Sequence, residues 1–198
     1  MLRLSEEPFT SPFTSIEEYL RVPISFTIER VLDVSAGIDY INSGNFMERT
    51  CEHPYEKNYD LIDSPLNWSK TFDVTNWGMI VARDDDRGNN DRIIGGAIVA
   101  FKCDTCIMLE GRDDLSVLWD IRVSPEYRRQ GIGAMLFHAA ETWARSRQCR
   151  ELKVETQNIN VPACRFYWHM GCKLGKVNHP AYPGLPDEIQ LLWYKNIS

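Results

Sequence analysis

A strand, a glycine turn and a helix follow one another in the middle of this chain, and this succession constrains the fold more than any other feature. The apolar run 117–123 predicts a buried strand, and the periodic segment 135–147 predicts an amphipathic helix. Between them, Gly131 and Gly133 allow a sharp turn because they carry no Cβ. Backbone N–H groups can then converge on an anion at the positive end of the helix dipole. A pyrophosphate would fit such a turn.

The turn does not match the two most familiar nucleotide-binding loops. A dinucleotide loop of the form G-x-G-x-x-G requires a third glycine at position 136, which is Leu136 here. A P-loop requires Gly-Lys-Ser/Thr, and none follows. Two glycines at a strand-to-helix turn are equally compatible with a purely structural turn. The loop alone therefore leaves both interpretations open.

Two motifs in the same order resemble those of the GNAT superfamily of N-acetyltransferases. The first, R-x-x-G-x-G from Arg128 to Gly133, is similar to the coenzyme A loop of that family. The second, Asn-x-x-Ala-x-x-Phe-Tyr from Asn160 to Tyr167, is similar to the start of its second site helix. The resemblance implies an α/β fold with a mixed, centrally splayed β-sheet of about six or seven strands flanked by helices. It also implies acetyl-CoA as the co-substrate, with no metal.

The resemblance assigns the cofactor contacts residue by residue. In the family, the pantetheine arm bonds to the backbone of the strand before the loop, and the pyrophosphate binds to the loop amides. Arg128 and Arg129 add positive charge that complements the phosphates, with a solvated side chain as the alternative for one of them. The cofactor-binding residues implied in this chain are Ile121, Arg122, Val123, Arg128, Arg129, Gln130, Gly131, Ile132, Gly133, Ala134 and Asn160.

Asp120 is the anomaly of the predicted strand. Strict alternation places Val117, Trp119, Ile121 and Val123 on one face and Leu118, Asp120 and Arg122 on the other. A carboxylate among apolar residues is costly unless it meets a cation or hydrogen-bond donors. Asp120 therefore either forms a buried pair with an Arg or Lys that holds the sheet, or faces an acceptor pocket and binds a substrate ammonium.

A carboxylate can act as the base that amine acetylation needs. An amine with a pKa of about 10 is protonated at neutral pH and must lose a proton before it attacks a thioester. Asp120 and Glu155, which lies on the next predicted strand, are the two candidate bases, and Glu110 is a third. For Glu155 and Glu110, a structural or surface role is the alternative.

Tyr167 is the candidate general acid. In the family, the tyrosine of this motif protonates the departing thiolate. A Phe-Tyr pair in a short helix is also common in hydrophobic cores.

Asn160 caps the helix or anchors the cofactor arm. Cys164 raises the alternative of a covalent acetyl-enzyme, but we expect direct attack by the amine, with Cys164 as ordinary packing.

A longer segment narrows the expected substrate. Residues 154–167, followed by 171–175, resemble the streptothricin acetyltransferases, whose segment runs Glu-Thr-Gln-x-Ile-Asn-Val-x-Ala-Cys-x-Phe-Tyr. That family acetylates the β-lysine part of a cationic antibiotic. Trp119 stands where many relatives carry a second acid, which weakens a two-carboxylate clamp. The alternatives are another acceptor, namely a polyamine, an aminoglycoside or a protein N-terminus, and a non-catalytic acyl-CoA-binding domain.

Composition is consistent with a small cationic substrate. The formal net charge is −6, and no basic run suggests a nucleic-acid partner. No apolar stretch reaches the roughly 20 residues of a membrane span, and no signal peptide is evident, so we expect a cytoplasmic enzyme.

The six cysteines are scattered, and Cys103-x-x-Cys106 lacks a second zinc-binding pair. We therefore expect thiols.

The chain length of 198 residues predicts one domain, 1–198. Residues 1–21 are expected to form an arm that packs on the domain or pairs with another subunit in a homodimer. Further along, we expect a strand over 24–34, a loosely helical segment over 36–63, and two strands over 77–83 and 92–102 joined by a hairpin tip at 84–90. The final elements expected are a strand over 151–157, a helix over 161–170 and a strand over 188–195.

Overall fold

The computed structural model describes residues 2–7, 9, 14–84, 92–179, 181–182, 184–185 and 187–198. Its strands are β1 Leu2–Glu7, β2 Phe26–Leu32, β3 Glu48–Lys57, β4 Gly78–Asp84, β5 Arg92–Ala100, β6 Leu115–Val123, β7 Glu151–Gln157, β8 Lys173–Asn178 and β9 Gln190–Asn196. Its α-helices are α1 Thr14–Tyr19, α2 Ile38–Asn42, α3 Pro65–Thr71, α4 Ile132–Ser146 and α5 Val161–His169. Short 3-10 turns cover Tyr59–Leu61, Ile107–Leu109 and Pro125–Tyr127.

The strands form a seven-stranded sheet in the order β1-β4-β5-β6-β7-β9-β8, and β2 pairs separately with β3. The prediction of an α/β fold with a sheet of this size flanked by helices is confirmed. Among the described helices, none is long and apolar enough to cross a membrane. The chain divides into two compact units, which are described in turn.

The first unit comprises Met1–Ser25, Asn58–Leu152 and Ile197–Ser198. Its strands β1, β4, β5 and β6 pair antiparallel in that order. Helices cover both faces of β5: a Cβ on Gly96 would lie 2.7 Å from the Tyr19 ring of α1, and a Cβ on Gly95 would lie 3.3 Å from Leu136 of α4. With both faces covered, β5 consists almost entirely of buried residues, as expected for such a strand.

A bulge in β6 corrects the predicted alternation of its side chains. Leu118 lies opposite Val99 of β5, but Asp120 lies opposite the adjacent Ile98, so Trp119 has no partner there. An extra residue shifts the side-chain alternation by one position. The predicted faces are therefore wrong from Asp120 onward.

The observed faces of β6 follow from its register with β5. Val117, Asp120 and Arg122 lie opposite Ala100, Ile98 and Gly96, which is the face covered by α1. The remaining strand residues after the bulge, Ile121 and Val123, lie opposite Ala97 and Gly95, on the face covered by α4. Trp119 packs against the apolar cluster on the α1 side.

The second unit comprises Phe26–Lys57 and Lys153–Asn196. In it, β2 pairs with β3 and β8 pairs with β9, both antiparallel. Asn42 at the end of α2 fixes that helix to β8, because its side chain donates to the Leu174 carbonyl at 2.9 Å and accepts from the Leu174 N–H at 2.7 Å. Helix α5 begins after its cap, Asn160.

The expectation of a loosely helical segment over 36–63 is wrong for most of its length. Only the five residues of α2 are α-helical, and ten residues form the strand β3. Most β3 side chains are exposed, so the spacing of apolar residues in this segment indicates neither a helix nor a strand. Its pairing with β2 determines the conformation.

Most of the other expected strands and helices are confirmed, and the expected hairpin tip lies largely outside the described residues. The strands expected over 24–34, 77–83, 92–102, 117–123 and 188–195 and the helix expected over 161–170 are present with shifted ends, and the strand over 151–157 has the expected ends. Residues 2–7 of the predicted arm pair with β4. The expected hairpin tip lies between Asp84 and Arg92, outside the described residues apart from its first residue. The single domain, the central splay and the homodimer stay predictions.

Candidate functional site

The glycine turn has the conformation that its sequence predicts. Gly131 has φ of +84° and immediately precedes Ile132, the first residue of α4. From the glycine turn we expect the helix to start near Arg129, and the observed start at Ile132 lies three positions later. Among the described residues, no side chain caps this helix start, and a Cβ on Gly131 would meet none of their atoms within 4 Å. The turn therefore offers open space beside backbone N–H groups that an anion could bind.

The polar side chains around the turn have distinct partners. The Arg128 Nε donates to the Val123 carbonyl at 2.9 Å, which ties the turn to the end of β6. The Gln130 side chain donates to the Glu126 carbonyl at 3.0 Å. Arg129 is exposed and also has a positive φ of +62°. Of the two predicted phosphate-binding cations, Arg129 is thus the more available.

Asp120 lies in a buried ionic network within the first unit. Its side chain is only 4% exposed and forms an ion pair with Arg122, whose Nε donates to Oδ1 at 3.1 Å. The Tyr19 hydroxyl donates to the same oxygen at 2.9 Å. Burial raises the pKa of Tyr19 well above its usual range, and the Asp120 charge raises it further, so the phenol keeps its proton. These contacts supply the cation and the donor that a buried carboxylate requires.

Arg122 extends this network to a residue that the sequence analysis did not single out. Its guanidinium donates to both carboxylate oxygens of Asp60, at 3.1 and 3.0 Å, and to the Val22 carbonyl at 3.2 Å. The side chain is 1% exposed. Any contact of Arg122 with a cofactor would therefore come from its backbone.

Glu155 has different surroundings, within the second unit. Its Oε1 accepts hydrogen bonds from the Tyr182 hydroxyl at 2.6 Å and from Gln157 at 3.3 Å. Its Oε2 accepts one from Gln190 at 2.7 Å. The residue is half-buried. Every one of these donors is neutral, so the negative charge of Glu155 has no cationic partner among the described residues.

Asn160 and Tyr167 lie at opposite ends of α5. The Asn160 side chain accepts from the Ala163 N–H at 3.2 Å, and Pro162 occupies the first turn, so the predicted cap is observed. Anchoring of the cofactor by Asn160 stays a prediction. Tyr167 is 7% exposed, and its ring packs edge-on against Phe166 with centroids 5.3 Å apart.

All six cysteines are free thiols, and the three considered for zinc binding or for an acetyl-enzyme, Cys103, Cys106 and Cys164, are buried. The Cys164 Sγ donates to the Gln157 carbonyl at 3.7 Å. Burial raises the pKa of the Cys164 thiol to about 12, so it holds its proton at neutral pH. A protonated thiol is a poor nucleophile. Cys103 and Cys106 are also buried, and no cluster of metal-ligating residues occurs among the residues that the structure describes.

The remaining candidate acid, Glu110, is exposed and follows the 3-10 turn Ile107–Leu109 in a left-handed conformation. Sequence reasoning did not identify Tyr19 and Asp60 as partners in the first unit, or Tyr182 and Gln190 in the second. Tyr19 lies 101 positions from Asp120, and Asp60 lies 62 positions from Arg122. Tyr182 and Gln190 lie 27 and 35 positions from Glu155. No local spacing could have connected them.

Three relatives resemble this chain in sequence or fold. Streptothricin acetyltransferase A of Bacillus subtilis (strain 168) is 37% identical over 40% of this chain and 47% of its own length. A streptothricin acetyltransferase of Escherichia coli is 33% identical over 56% of this chain and 66% of its own length. The matched region thus spans about half to two thirds of these relatives. A Bacillus anthracis protein solved in complex with acetyl coenzyme A is 24% identical, with a TM-score of 0.73 over 99% of this chain and 98% of that one.

A family model identifies the chain more broadly. The model described as the acetyltransferase (GNAT) family matches residues 45–172, which is more than half of the sequence. The match includes β6, the glycine turn, α4, β7 and α5, which are the elements that carry both sequence motifs. The chain belongs to the acetyltransferase (GNAT) family.

Proposed function

We propose that this protein transfers the acetyl group of acetyl-CoA to a primary amine of a small cationic substrate. The observation that carries the proposal is the uncapped start of α4 at Gly131, with open space where a side chain would stand. That geometry suits a pyrophosphate, and it lies within the region matched by the family model. Acetyl-CoA supplies an activated thioester. Residues 129–134 would hold its pyrophosphate through their amides, and the backbone of Ile121 and Val123 would hold its pantetheine arm.

Glu155 is the better of the two candidate bases. Asp120 already forms an ion pair with the buried guanidinium of Arg122, so its charge has a cationic partner within the first unit. Glu155 is held by neutral donors alone and retains its charge for an incoming ammonium. We assign it the binding of that ammonium and the removal of one proton. We assign Asp120 to the ionic network that holds β6, which was the structural alternative for this residue.

The acyl transfer itself is direct. The neutral amine attacks the thioester carbonyl, the carbon–sulfur bond breaks, and the nitrogen loses a second proton to solvent as the amide forms and the thiolate leaves. Tyr167 would donate a proton to that thiolate. Cys164 takes no part, because its buried thiol stays protonated at neutral pH and is a poor nucleophile.

The proposed acceptor is the β-lysine amine of streptothricin. Two relatives named as streptothricin acetyltransferases support it, as does the formal net charge of −6. Acetylation would convert a cationic ammonium into a neutral amide. The resulting loss of charge is the proposed basis of antibiotic resistance.

An amine panel tests this proposal. Release of free thiol from acetyl-CoA is followed with streptothricin, spermidine, an aminoglycoside and a short peptide as acceptors. We expect the highest kcat/KM with streptothricin. A clear preference for another amine would overturn streptothricin as the substrate but support acetyl transfer to an amine. Absence of turnover with every acceptor would favour the acyl-CoA-binding alternative.

A further inference from the structure

The Glu155 carboxylate is held by side chains from three parts of the second unit. Gln157 comes from the same strand, Gln190 begins β9, and Tyr182 lies between β8 and β9. Gln157 also donates to the Tyr182 hydroxyl at 2.8 Å, so these two groups bind Oε1 as a linked pair. Gln190 in turn accepts from Asn178 at 2.6 Å, which orients its amide toward Oε2.

The hydrogen bonds divide the two carboxylate oxygens unequally. A carboxylate has about four acceptor sites, two on each oxygen. Oε1 accepts two hydrogen bonds, from Tyr182 and Gln157, and is saturated. From the residues that the structure describes, Oε2 accepts one, from Gln190. One acceptor site on Oε2 is left for a donor from outside this network.

The segment that carries Tyr182 is itself fixed to the rest of the second unit. The Leu185 N–H donates to the Tyr182 carbonyl at 3.1 Å. Glu188 forms a buried ion pair with Lys57 at 2.5 Å, and the Ile189 N–H donates to the Asn158 side chain at 2.8 Å. Tyr182 is thus anchored on its C-terminal side, which is what a group that orients another residue requires.

We propose that Tyr182 is a positioning residue that saturates Oε1 of Glu155 and so directs the substrate ammonium to Oε2. This inference rests on the proposed function, because it assumes that Glu155 receives the amine and its proton. Tyr182 does not touch the substrate. It acts through the orientation of the carboxylate.

Tyr182→Phe removes the hydroxyl and keeps the ring. Losing a hydrogen bond to a charged group corresponds to about a 10-fold effect. We expect kcat/KM for the amine to fall about 10-fold, while the KM for acetyl-CoA stays at the native value and the melting temperature falls by no more than a few degrees. Tyr40→Phe is the matched control, since Tyr40 is an exposed tyrosine on α2 of the same unit. We expect it to match the native enzyme.

A double-mutant cycle with Glu155→Gln separates positioning from direct substrate contact. If Tyr182 acts through Glu155, adding Tyr182→Phe to Glu155→Gln changes kcat/KM by less than about 2-fold. The same 10-fold loss in both backgrounds would overturn the inference and place Tyr182 against the substrate. Full activity of the single variant would also overturn it. A native enzyme without turnover on any amine would instead overturn the proposed function, and this inference with it.

Discussion

Gly131→Val tests whether an anion binds at the start of α4. The substitution places a β-branched side chain in the open space beside the turn, where a phosphate would approach. It also forces an L-residue to adopt φ of +84°, which costs about 1–2 kcal/mol. For a chain of this size we expect the melting temperature to fall by roughly 2–8 °C. The fold should survive this loss.

The effect on the cofactor should be much larger than the effect on the fold. A hydrogen bond between an amide and a charged phosphate contributes about 1.5–3 kcal/mol, and the added side chain displaces at least two. Acetyl-CoA affinity should therefore fall by about 10²-fold or more. Isothermal titration calorimetry measures this directly.

Gly111→Val is the matched control for strain. Gly111 has φ of +67°, and a Cβ there would also meet nothing within 4 Å, but no sequence motif assigns it a ligand. It should lower the melting temperature by a similar amount and leave acetyl-CoA affinity unchanged. Equal affinity in the two variants would refute the placement of the pyrophosphate at the glycine turn.

Three further substitutions test the assigned roles. Tyr167→Phe should lower kcat about 10²-fold or more, with acetyl-CoA affinity retained in calorimetry; full kcat would remove Tyr167 as the general acid. Cys164→Ala should keep turnover and sequential initial-rate patterns, and ping-pong kinetics in the native enzyme would instead demand an acetyl-enzyme. Asp120→Asn should destabilise the fold by about 1.5–3 kcal/mol in denaturant unfolding, because Arg122 and Tyr19 lose the charged acceptor of their hydrogen bonds while Arg122 keeps its ion pair with Asp60. Asp104→Asn, at an exposed position, should change stability by less than about 0.5 kcal/mol, and an equal loss in both variants would contradict the assigned network.

The parts of the site that the sequence predicted are those fixed by local chemistry. The left-handed residue before α4 is a glycine because other residues are strained there. The cap of α5 is an asparagine because its side chain can bind a free N–H of the first turn. In both cases the residue and its partner lie within a few positions. A local sequence pattern can therefore report them.

The parts that the sequence did not predict depend on distant partners. The bulge at Trp119 shows only in the register between β6 and β5, and it reverses the faces of every later residue in that strand. Strand β3 carries few buried side chains, so the sequence shows no alternation of apolar and polar residues there. Its strand conformation is evident only from the pairing with β2. Tyr182 reaches Glu155 only because the chain returns between β8 and β9.

The most direct test of the account is the product formed from streptothricin and acetyl-CoA. Native protein is incubated with both compounds, and the antibiotic is recovered for mass spectrometry and nuclear magnetic resonance. The account predicts one added acetyl group per antibiotic, bonded to an amine of the β-lysine part, with one free thiol released per product. Unmodified antibiotic after prolonged incubation, with acetyl-CoA consumed on another amine or not at all, would contradict it.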